Sequence, residues 1–201
     1  VGMTIEQGLQ RFQSDSLRYA LAANFPEQAD TEISEEEIVR RINDELVANW
    51  GNLVNRVLSM IYKTCDGVVP EPSSDSPEDT DLLTLIDSSL EESASLFESV
   101  ELRAALRTAM ESAQATNRYL NATEPWKLSK TDPERARTVL YVALSAINGI
   151  RVMLSPFIPF SSKKLDNLLG ETTGWKRTAL APGLPIPKPE PLFQKVEIEE
   201  V

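Results

Sequence analysis

The chain has 201 residues, enough to bury a core in one domain or in one domain with an appendage. Hydrophobic residues make up 41% of it, which is typical of a globular protein, and no apolar run approaches the ~20 residues needed to cross a bilayer. With one cysteine and no histidine, it can form neither an internal disulfide nor a conventional zinc cluster, and it lacks the imidazole that most hydrolytic mechanisms use.

The formal net charge of -11 is concentrated in one stretch. No basic residue lies between Lys63 and Arg103, and the eleven acidic residues in that interval equal the whole excess. They are Asp66, Glu71, Asp75, Glu78, Asp79, Asp81, Asp87, Glu91, Glu92, Glu98 and Glu101. We therefore expect one flank of the fold to repel phosphate, while the remainder permits a local basic site without demonstrating one.

The first 23 residues predict a short hairpin of two helices. Thr4 can cap a helix over residues 5–12, and Asp15 or Ser16 can cap a second helix over residues 17–23. The hairpin has too little apolar surface to fold alone. Residues 25–31 are polar and turn-rich, which predicts a connection.

The longest predicted helix follows this connection. Ser34 and Glu37 form a capping box, and apolar residues then recur at steps of three and four as far as Ile61, which predicts one helix of about 29 residues. Gly51 lies in its middle, where glycine costs about 1 kcal/mol relative to alanine. Close packing or a ligand near the backbone would explain this glycine, and simple tolerance is the alternative.

The second half of this helix has two opposed faces. At about 100° per residue, one apolar stripe collects Trp50, Leu53, Val54, Val57 and Ile61. The opposite stripe collects Asn52, Arg56, Ser59 and Lys63, within roughly 60° of one another. The polar stripe is either a solvated helix back or a binding face, and this helix alone does not decide between them.

Further helices are predicted after a proline-containing loop over residues 66–76. The apolar pattern supports a helix over residues 82–96 and another over residues 100–115 with Ser99 as its cap. A fourth long helix runs from Asp132 to a stop before Pro156, and a shorter one over residues 161–169 is closed by Gly170.

Two proline features complete the prediction. Pro125 forbids an unbroken helix through residues 116–126 and leaves Trp126 at a turn. From Thr172 onward the chain reads as an extended, proline-rich tail. Because no run has strand periodicity, the sequence predicts an all-α helical bundle with an extended C-terminal tail.

Five segments carry a family resemblance, in order and at similar spacing. They are Asp15-Ser-Leu-Arg-Tyr; Gly51-Asn-Leu-Val-Asn-Arg; Asn117-Arg-Tyr followed by Pro125-Trp126; Pro156-Phe-Ile-Pro-Phe with Lys164-Leu-x-x-Leu-Leu-Gly; and Pro189-Glu-Pro-Leu-Phe-Gln-Lys. Together they resemble the C-terminal part of a bacterial-type methionyl-tRNA synthetase. The Asn-x-Tyr and Pro-Trp motifs recur in the valyl, leucyl and isoleucyl relatives, whereas the Gly51 helix and the Pro-Leu-Phe tail narrow the resemblance to the methionyl member.

The resemblance implies a division of the chain and a function. Residues 1–24 would end a stem-contact region joined to a catalytic domain that this chain lacks, residues 25–170 would form the helical anticodon-binding domain, and residues 171–201 the extended tail. The domain would bind the CAU anticodon loop so that the parent enzyme, an ATP-dependent ligase, attaches methionine to its tRNA. Trp126 would stack on the first anticodon base. The other implied RNA-binding residues are Pro125, Asn52, Arg56, Ser59, Lys63 and Asn121.

One motif is similar to a catalytic signature but is not predicted to be one. Lys127-Leu-Ser-Lys-Thr looks like the Lys-Met-Ser-Lys-Ser signature of class I synthetases, but it follows the Pro-Trp turn and lacks that signature's setting. The histidine-containing nucleotide-binding signature is impossible in a chain without histidine. We therefore expect no catalytic residue, metal or cofactor in this fragment, with ATP used by the parent enzyme.

The expected partners are methionine-accepting tRNA and the catalytic domain of the same parent chain, with no membrane. Without an appended C-terminal domain the chain is expected to be a monomer, and without an export signal it is expected to be cytoplasmic. The alternative from another class is a non-enzymatic helical protein-interaction module, which predicts an exposed apolar groove and no tRNA affinity.

Overall fold

The structure, a computed structural model, describes residues 3–25 and 33–197. Within these ranges the fold is all-α, as predicted, and the only β-type pairing is an isolated bridge between Val68 and Pro185. The helices are α1 (Ile5–Arg11), α2 (Ser14–Ala23), α3 (Glu35–Arg40), a π-helical segment (Arg41–Gly51), α4 (Asn52–Thr64), α5 (Pro77–Glu98), α6 (Leu102–Thr123), α7 (Pro125–Thr131), α8 (Pro133–Leu154) and α9 (Pro159–Leu169). Most of the predicted connection, residues 26–31, lies outside the described residues.

Helix α8 is the centre of the bundle. Seventeen of its 22 residues are buried, and α4, α5, α6, α7 and α9 all pack against it. At Gly149 a Cβ would lie 2.5 Å from Ile86, so α5 approaches α8 too closely for any side chain. In contrast to the expectation from the sequence, this helix is by length and composition apolar enough to span a bilayer. Because 89% of its most apolar window is buried, it resembles the core helix of a globular bundle.

The predicted long helix is continuous from Glu35 to Thr64, but its middle is not α-helical. The segment Arg41–Gly51 is π-helical, with i→i+5 backbone hydrogen bonds. Its buried residues Ile42, Leu46, Val47, Trp50 and Gly51 recur at intervals of four to five, which suits this wider turn. A single helix was therefore correctly predicted, whereas its local change of pitch was not.

Close packing accounts for Gly51. A Cβ at this position would lie 3.3 Å from Cδ2 of Phe193, a buried residue of the tail. Eight residues earlier on the same segment, the side-chain amide of Asn43 donates to the carbonyl of Val196 (2.8 Å) and accepts from its amide (2.9 Å). The tail contains no helix between residues 171 and 197, as predicted, and it is anchored on the π-helical segment.

Two predicted helix caps are wrong. Helix α2 begins at Ser14, and the buried Asp15 carboxylate instead accepts hydrogen bonds from the backbone amides of Phe160 and Ser161 in the first turn of α9. A carboxylate there satisfies orphan amides and complements the helix dipole. Ser99 is the C-cap of α5 rather than the N-cap of α6. The residue after it, Val100, has a positive φ of 60°, which separates the two helices.

Candidate nucleic-acid interface

The two opposed faces of α4 are confirmed by burial. Leu53, Val57 and Ile61 are fully buried against the bundle. On the other face, Asn52 and Lys63 are exposed, and Arg56 and Ser59 are half-buried. The polar stripe is therefore accessible along the length of α4.

A sharp turn between α6 and α7 presents Trp126. Glu124 adopts the left-handed conformation (φ 46°, ψ 55°), and Pro125 occupies the first position of α7. The ring of a proline disfavours the helical conformation of the residue before it, so α6 must end here. Pro125 itself is buried, and it acts on the site by fixing the backbone turn. The indole of Trp126 remains 38% exposed at the start of α7, a short helix that the sequence did not predict.

Three of the predicted residues meet, each from a different helix. The guanidinium carbon of Arg56 lies 5.6 Å from the centroid of the Trp126 ring, within cation–π distance. Its Nη2 donates to Oδ1 of Asn121 at 3.4 Å. Arg56 thus links α4 to both α6 and α7, and its guanidinium lies over the Trp126 ring.

The remaining predicted residues are not part of this cluster. Among the described residues, no hydrogen bond or ion pair joins Asn52, Ser59 or Lys63 to Trp126. They lie along α4, and Asn52 and Lys63 are about 16 Å apart at 1.5 Å per residue. Lys130, which the sequence analysis did not propose, is exposed one turn after Trp126 on the same side of α7. The i, i+4 spacing from Trp126 is the signal that could have identified it.

Asn117, the first residue of the Asn117-Arg-Tyr motif, joins α6 to the π-helical segment. Nδ2 of Asn117 donates to the backbone carbonyl (3.2 Å) and to Oδ1 (2.9 Å) of Asn49, and Nδ2 of Asn49 donates to the carbonyl of Met110. These contacts set α6 against the π-helical segment that leads into α4. Asn117 therefore positions the two helices that carry Arg56 and Asn121.

A buried network of charged and polar side chains joins the helices near the turn between α6 and α7. Arg135, in the first turn of α8, donates twice to the carboxylate of Asp79, at 2.5 and 2.9 Å. The hydroxyl of Tyr119 donates to the same carboxylate at 2.5 Å, and so does the backbone amide of Ser76 at 2.9 Å. The starts of α5 and α8 and the end of α6 are thereby joined. Neither the Ser76–Asp79 cap nor its links to Tyr119 and Arg135 were predicted from the sequence.

This network shifts the pKa values of its members. Burial raises the pKa of Asp79, but the hydrogen bonds from Arg135, Ser76 and Tyr119 outweigh it, so that the net pKa lies below its ordinary value. Burial, together with the adjacent carboxylate, raises the pKa of Tyr119. Asp79 is therefore ionised and Tyr119 neutral at pH 7, which the hydrogen-bonding geometry requires.

Most of the acidic stretch lies outside α4, although Asp66 comes two residues after the end of that helix. Of its eleven carboxylates all but Asp79 are exposed, and many belong to α5. Helix α5 packs on α6 and α8, whereas α4 packs on α6, α8 and the π-helical segment. The predicted acidic residues are therefore concentrated on α5, and α4 itself carries no carboxylate.

Within the part of the chain that the structure describes, this face holds no cluster of metal ligands. In residues 3–25 and 33–197, no group of three Cys, Asp or Glu side chains is placed to hold a metal ion. A cleft of about 650 Å³ lies between α2, the π-helical segment and α6, with ion-paired Arg41 and Glu45 in its wall. None of the predicted RNA-binding residues lines it.

The comparisons with known proteins all find the same family. Residues 69–201 match the family model described as the anticodon binding domain of methionyl tRNA ligase, and residues 1–58 match tRNA synthetases class I (M). A methionine–tRNA ligase of Roseiflexus sp. (strain RS-1) is 42% identical over 219 residues, covering 94% of this chain and 37% of the relative. That of Dehalococcoides mccartyi (strain ATCC BAA-2266 / KCTC 15142 / 195) is 40% identical, covering 96% of this chain and 36% of the relative.

A solved structure is similar over the whole fold. The apo form of Mycobacterium tuberculosis methionyl-tRNA synthetase superposes with a TM-score of 0.90 at 31% identity, covering 99% of this chain and 42% of that one. The chain spans little more than a third of the length of the curated relatives it matches.

Proposed function

The chain belongs to the family of anticodon-binding domains of methionyl-tRNA ligases, and we propose that it recognises the CAU anticodon loop of methionine-accepting tRNA. The observation that carries the proposal is the cluster of Arg56, Asn121 and the half-exposed Trp126 at one edge of the polar face of α4. Proteins read unpaired RNA by stacking splayed bases on aromatic side chains and bonding the base edges.

The cluster has the groups that such recognition needs. Trp126 offers an indole surface, and stacking of a base on an aromatic is worth about 1–3 kcal/mol. Arg56 and Asn121 offer donors and an acceptor beside it. Asn52 and Ser59 are neutral groups for base edges, and the exposed Lys63 and Lys130 are positive charges for the backbone.

The surrounding charges are consistent with an RNA partner in spite of the negative total. The acidic residues of α5 repel phosphate from another face, so the strand is directed towards α4 and α7. Because the positive charges here are few, the expected affinity depends more on stacking and base contacts than on counterion release.

The parent protein is proposed to be an ATP-dependent methionine–tRNA ligase with its chemistry elsewhere. On this proposal residues 1–24 end the stem-contact region, residues 25–170 form the anticodon-binding domain and residues 171–201 form the tail. Besides tRNA, the domain has a second partner, the catalytic domain of the same parent chain. The exposed apolar side chains of Ile5 and Leu9 on α1 are consistent with a surface that this domain covers. A cytoplasmic monomer without membrane contact, using ATP only in its catalytic domain, belongs to the same proposal.

Binding to tRNA tests the function directly. We expect the chain to bind methionine tRNA, initiator or elongator, more tightly than a non-methionine tRNA in a mobility-shift titration at several salt concentrations. Equal affinity for the two would favour the protein-interaction alternative, which the relatives do not support.

The variant Lys63→Ala tests what Lys63 contacts. It should reduce the dependence of the binding constant on salt concentration if Lys63 contacts phosphate, and leave that dependence unchanged if it contacts a base. Lys164→Ala is the matched control, because Lys164 is exposed on α9 at the other end of α8.

A further inference from the structure

Tyr62 is an exposed aromatic residue that the proposed contacts do not use. It lies on α4 next to Lys63, and 43% of it is exposed. At 100° per residue it lies about 120° around α4 from Arg56, roughly 60° beyond Ser59 at the other edge of the polar stripe. Since Arg56 contacts Trp126, the stripe lies between two aromatic side chains.

The Tyr62 ring is backed by a rigid turn. Its Cδ2 and Cε2 lie 3.5 and 3.8 Å from where a Cβ of Gly67 would be, and both Asp66 and Gly67 have left-handed backbones (φ 53° and 67°). The carbonyl of Gly67 accepts from the amide of Ile186 at 2.7 Å, which ties the turn to the tail. The ring is therefore supported on one side and open to solvent on the other.

The charges around Tyr62 select a base rather than a phosphate. The exposed carboxylate of Asp66 and the last carbonyls of α4 both repel an anion at this position. A neutral nucleobase is not repelled, and its phosphate can lie on the side of Lys63. Within the described residues the phenol hydroxyl has no hydrogen-bond partner, so it is free to bond a base edge or a ribose.

We propose that Tyr62 is a second stacking platform, which binds an unpaired base of the anticodon loop other than the base on Trp126. This inference rests on the proposed function. It makes the polar stripe of α4 the floor of a groove whose two edges are Trp126 and Tyr62. Base-edge contacts from Asn52 and Ser59 would then be made to bases held on both sides.

The test measures binding of the 201-residue chain to a fluorescent 17-nucleotide stem-loop with a CAU loop. Tyr62→Ala should weaken binding by roughly 5- to 100-fold, the range expected for one stacked base. Tyr62→Phe, which keeps the ring, should stay within about threefold of the wild type. Phe160→Ala is the matched control, because Phe160 is an exposed aromatic on α9 with Lys164 one turn later, and it should bind as the wild type.

Abasic substitutions in the RNA separate stacking from a structural effect. Removing one unpaired base of the loop should abolish the penalty of Tyr62→Ala, and removing a different one should abolish that of Trp126→Ala. If Tyr62→Ala binds as the wild type while Trp126→Ala is weakened, or if no abasic site couples to Tyr62, the inference is wrong and the proposed function stands. If the wild-type chain does not prefer the CAU loop over another anticodon, both are wrong.

Discussion

Trp126 is held in place on one side and open on the other. Arg56 lies over its ring, Pro125 fixes the turn before it, and 38% of the residue is exposed. An indole in this position can stack on a base at little conformational cost, because the turn and the guanidinium already restrict its rotamers.

Removal of the indole should impair tRNA recognition. In the full-length ligase we expect Trp126→Ala to raise KM for tRNA or to lower kcat/KM by about 10- to 100-fold, since stacking contributes roughly 1–3 kcal/mol. Trp126→Phe should recover part of the loss, and methionine activation should not change. The site assignment would be wrong if Trp126→Ala lowered the melting temperature sharply while the folded fraction charged tRNA normally.

Two carboxylates with lowered pKa values should make stability depend on pH. The pKa of Asp79 is lowered by its hydrogen bonds, and that of Asp166, which burial alone would raise, is lowered to about 2 by Arg151 and Lys163. Because both pKa values are lower in the folded chain, their contribution is complete above about pH 4 and is lost as the pH falls below that value.

Urea unfolding between pH 2 and 7 checks this expectation. Asp79→Asn should be destabilised at pH 7 by about 3–5 kcal/mol, because it leaves Arg135 without its charged partner. The variant should also lose less stability on acidification than the wild type. Asp81→Asn, an exposed acid on α5, should keep the wild-type dependence, and an identical acid response in all three proteins would contradict the assignment.

At the scale of elements, the π-helical segment and the tail form one unit. Phe193 fills the space above Gly51, and Asn43 makes two hydrogen bonds with Val196. The segment continues directly into α4, so this contact also fixes the orientation of the polar stripe.

A double-mutant cycle tests the packing at Gly51. Phe193→Ala should cost about 3–5 kcal/mol, the usual effect of removing a buried phenyl ring. Gly51→Ala should destabilise the wild type, because its Cβ would lie 3.3 Å from the ring. In the Phe193→Ala background the same change should stabilise by up to about 1 kcal/mol, because only the helix preference remains. Equal effects in both backgrounds, measured by chemical denaturation, would show that Phe193 does not explain Gly51.

The tail should nevertheless be less protected than α4. Its anchors are separated by prolines and by residues without backbone partners, and on our proposal the catalytic domain supports part of it. We expect amides from residue 182 onward to exchange faster than those of α4 in hydrogen-exchange mass spectrometry. Exchange as slow as that of α4 would show that the tail is part of the stable core.

At the scale of the whole molecule, the proposed division of labour predicts an inactive chain. The chain has no histidine for the histidine-containing nucleotide-binding signature. Purified chain should therefore show no methionine-dependent exchange of pyrophosphate into ATP, with the full-length ligase as the positive control. Exchange above background from pure material would overturn the proposal that activation takes place in another domain.

Local patterns predicted most of the helices. The opposed stripes of α4, the start of α8 at Pro133 and the break at Pro125 follow from side-chain periodicity and proline geometry, which act within a few residues. The caps at Asp15 and Ser99 failed because their true roles depend on contacts or backbone geometry that the local pattern does not contain. The carboxylate of Asp15 is buried against α9, where it accepts hydrogen bonds from residues about 145 positions away along the chain.

The sequence by itself determined the all-α class, the accessible polar stripe, the acidic flank and the residue types of the candidate site. Only the tertiary structure decided which of these residues meet: Arg56, Asn121 and Trp126 come together, whereas Lys63 stays apart from them. It also decided that Asn117 and Tyr119 support the site rather than face solvent. The physical reason is that periodicity specifies the face on which a side chain lies, while the distance between two faces depends on how the helices pack.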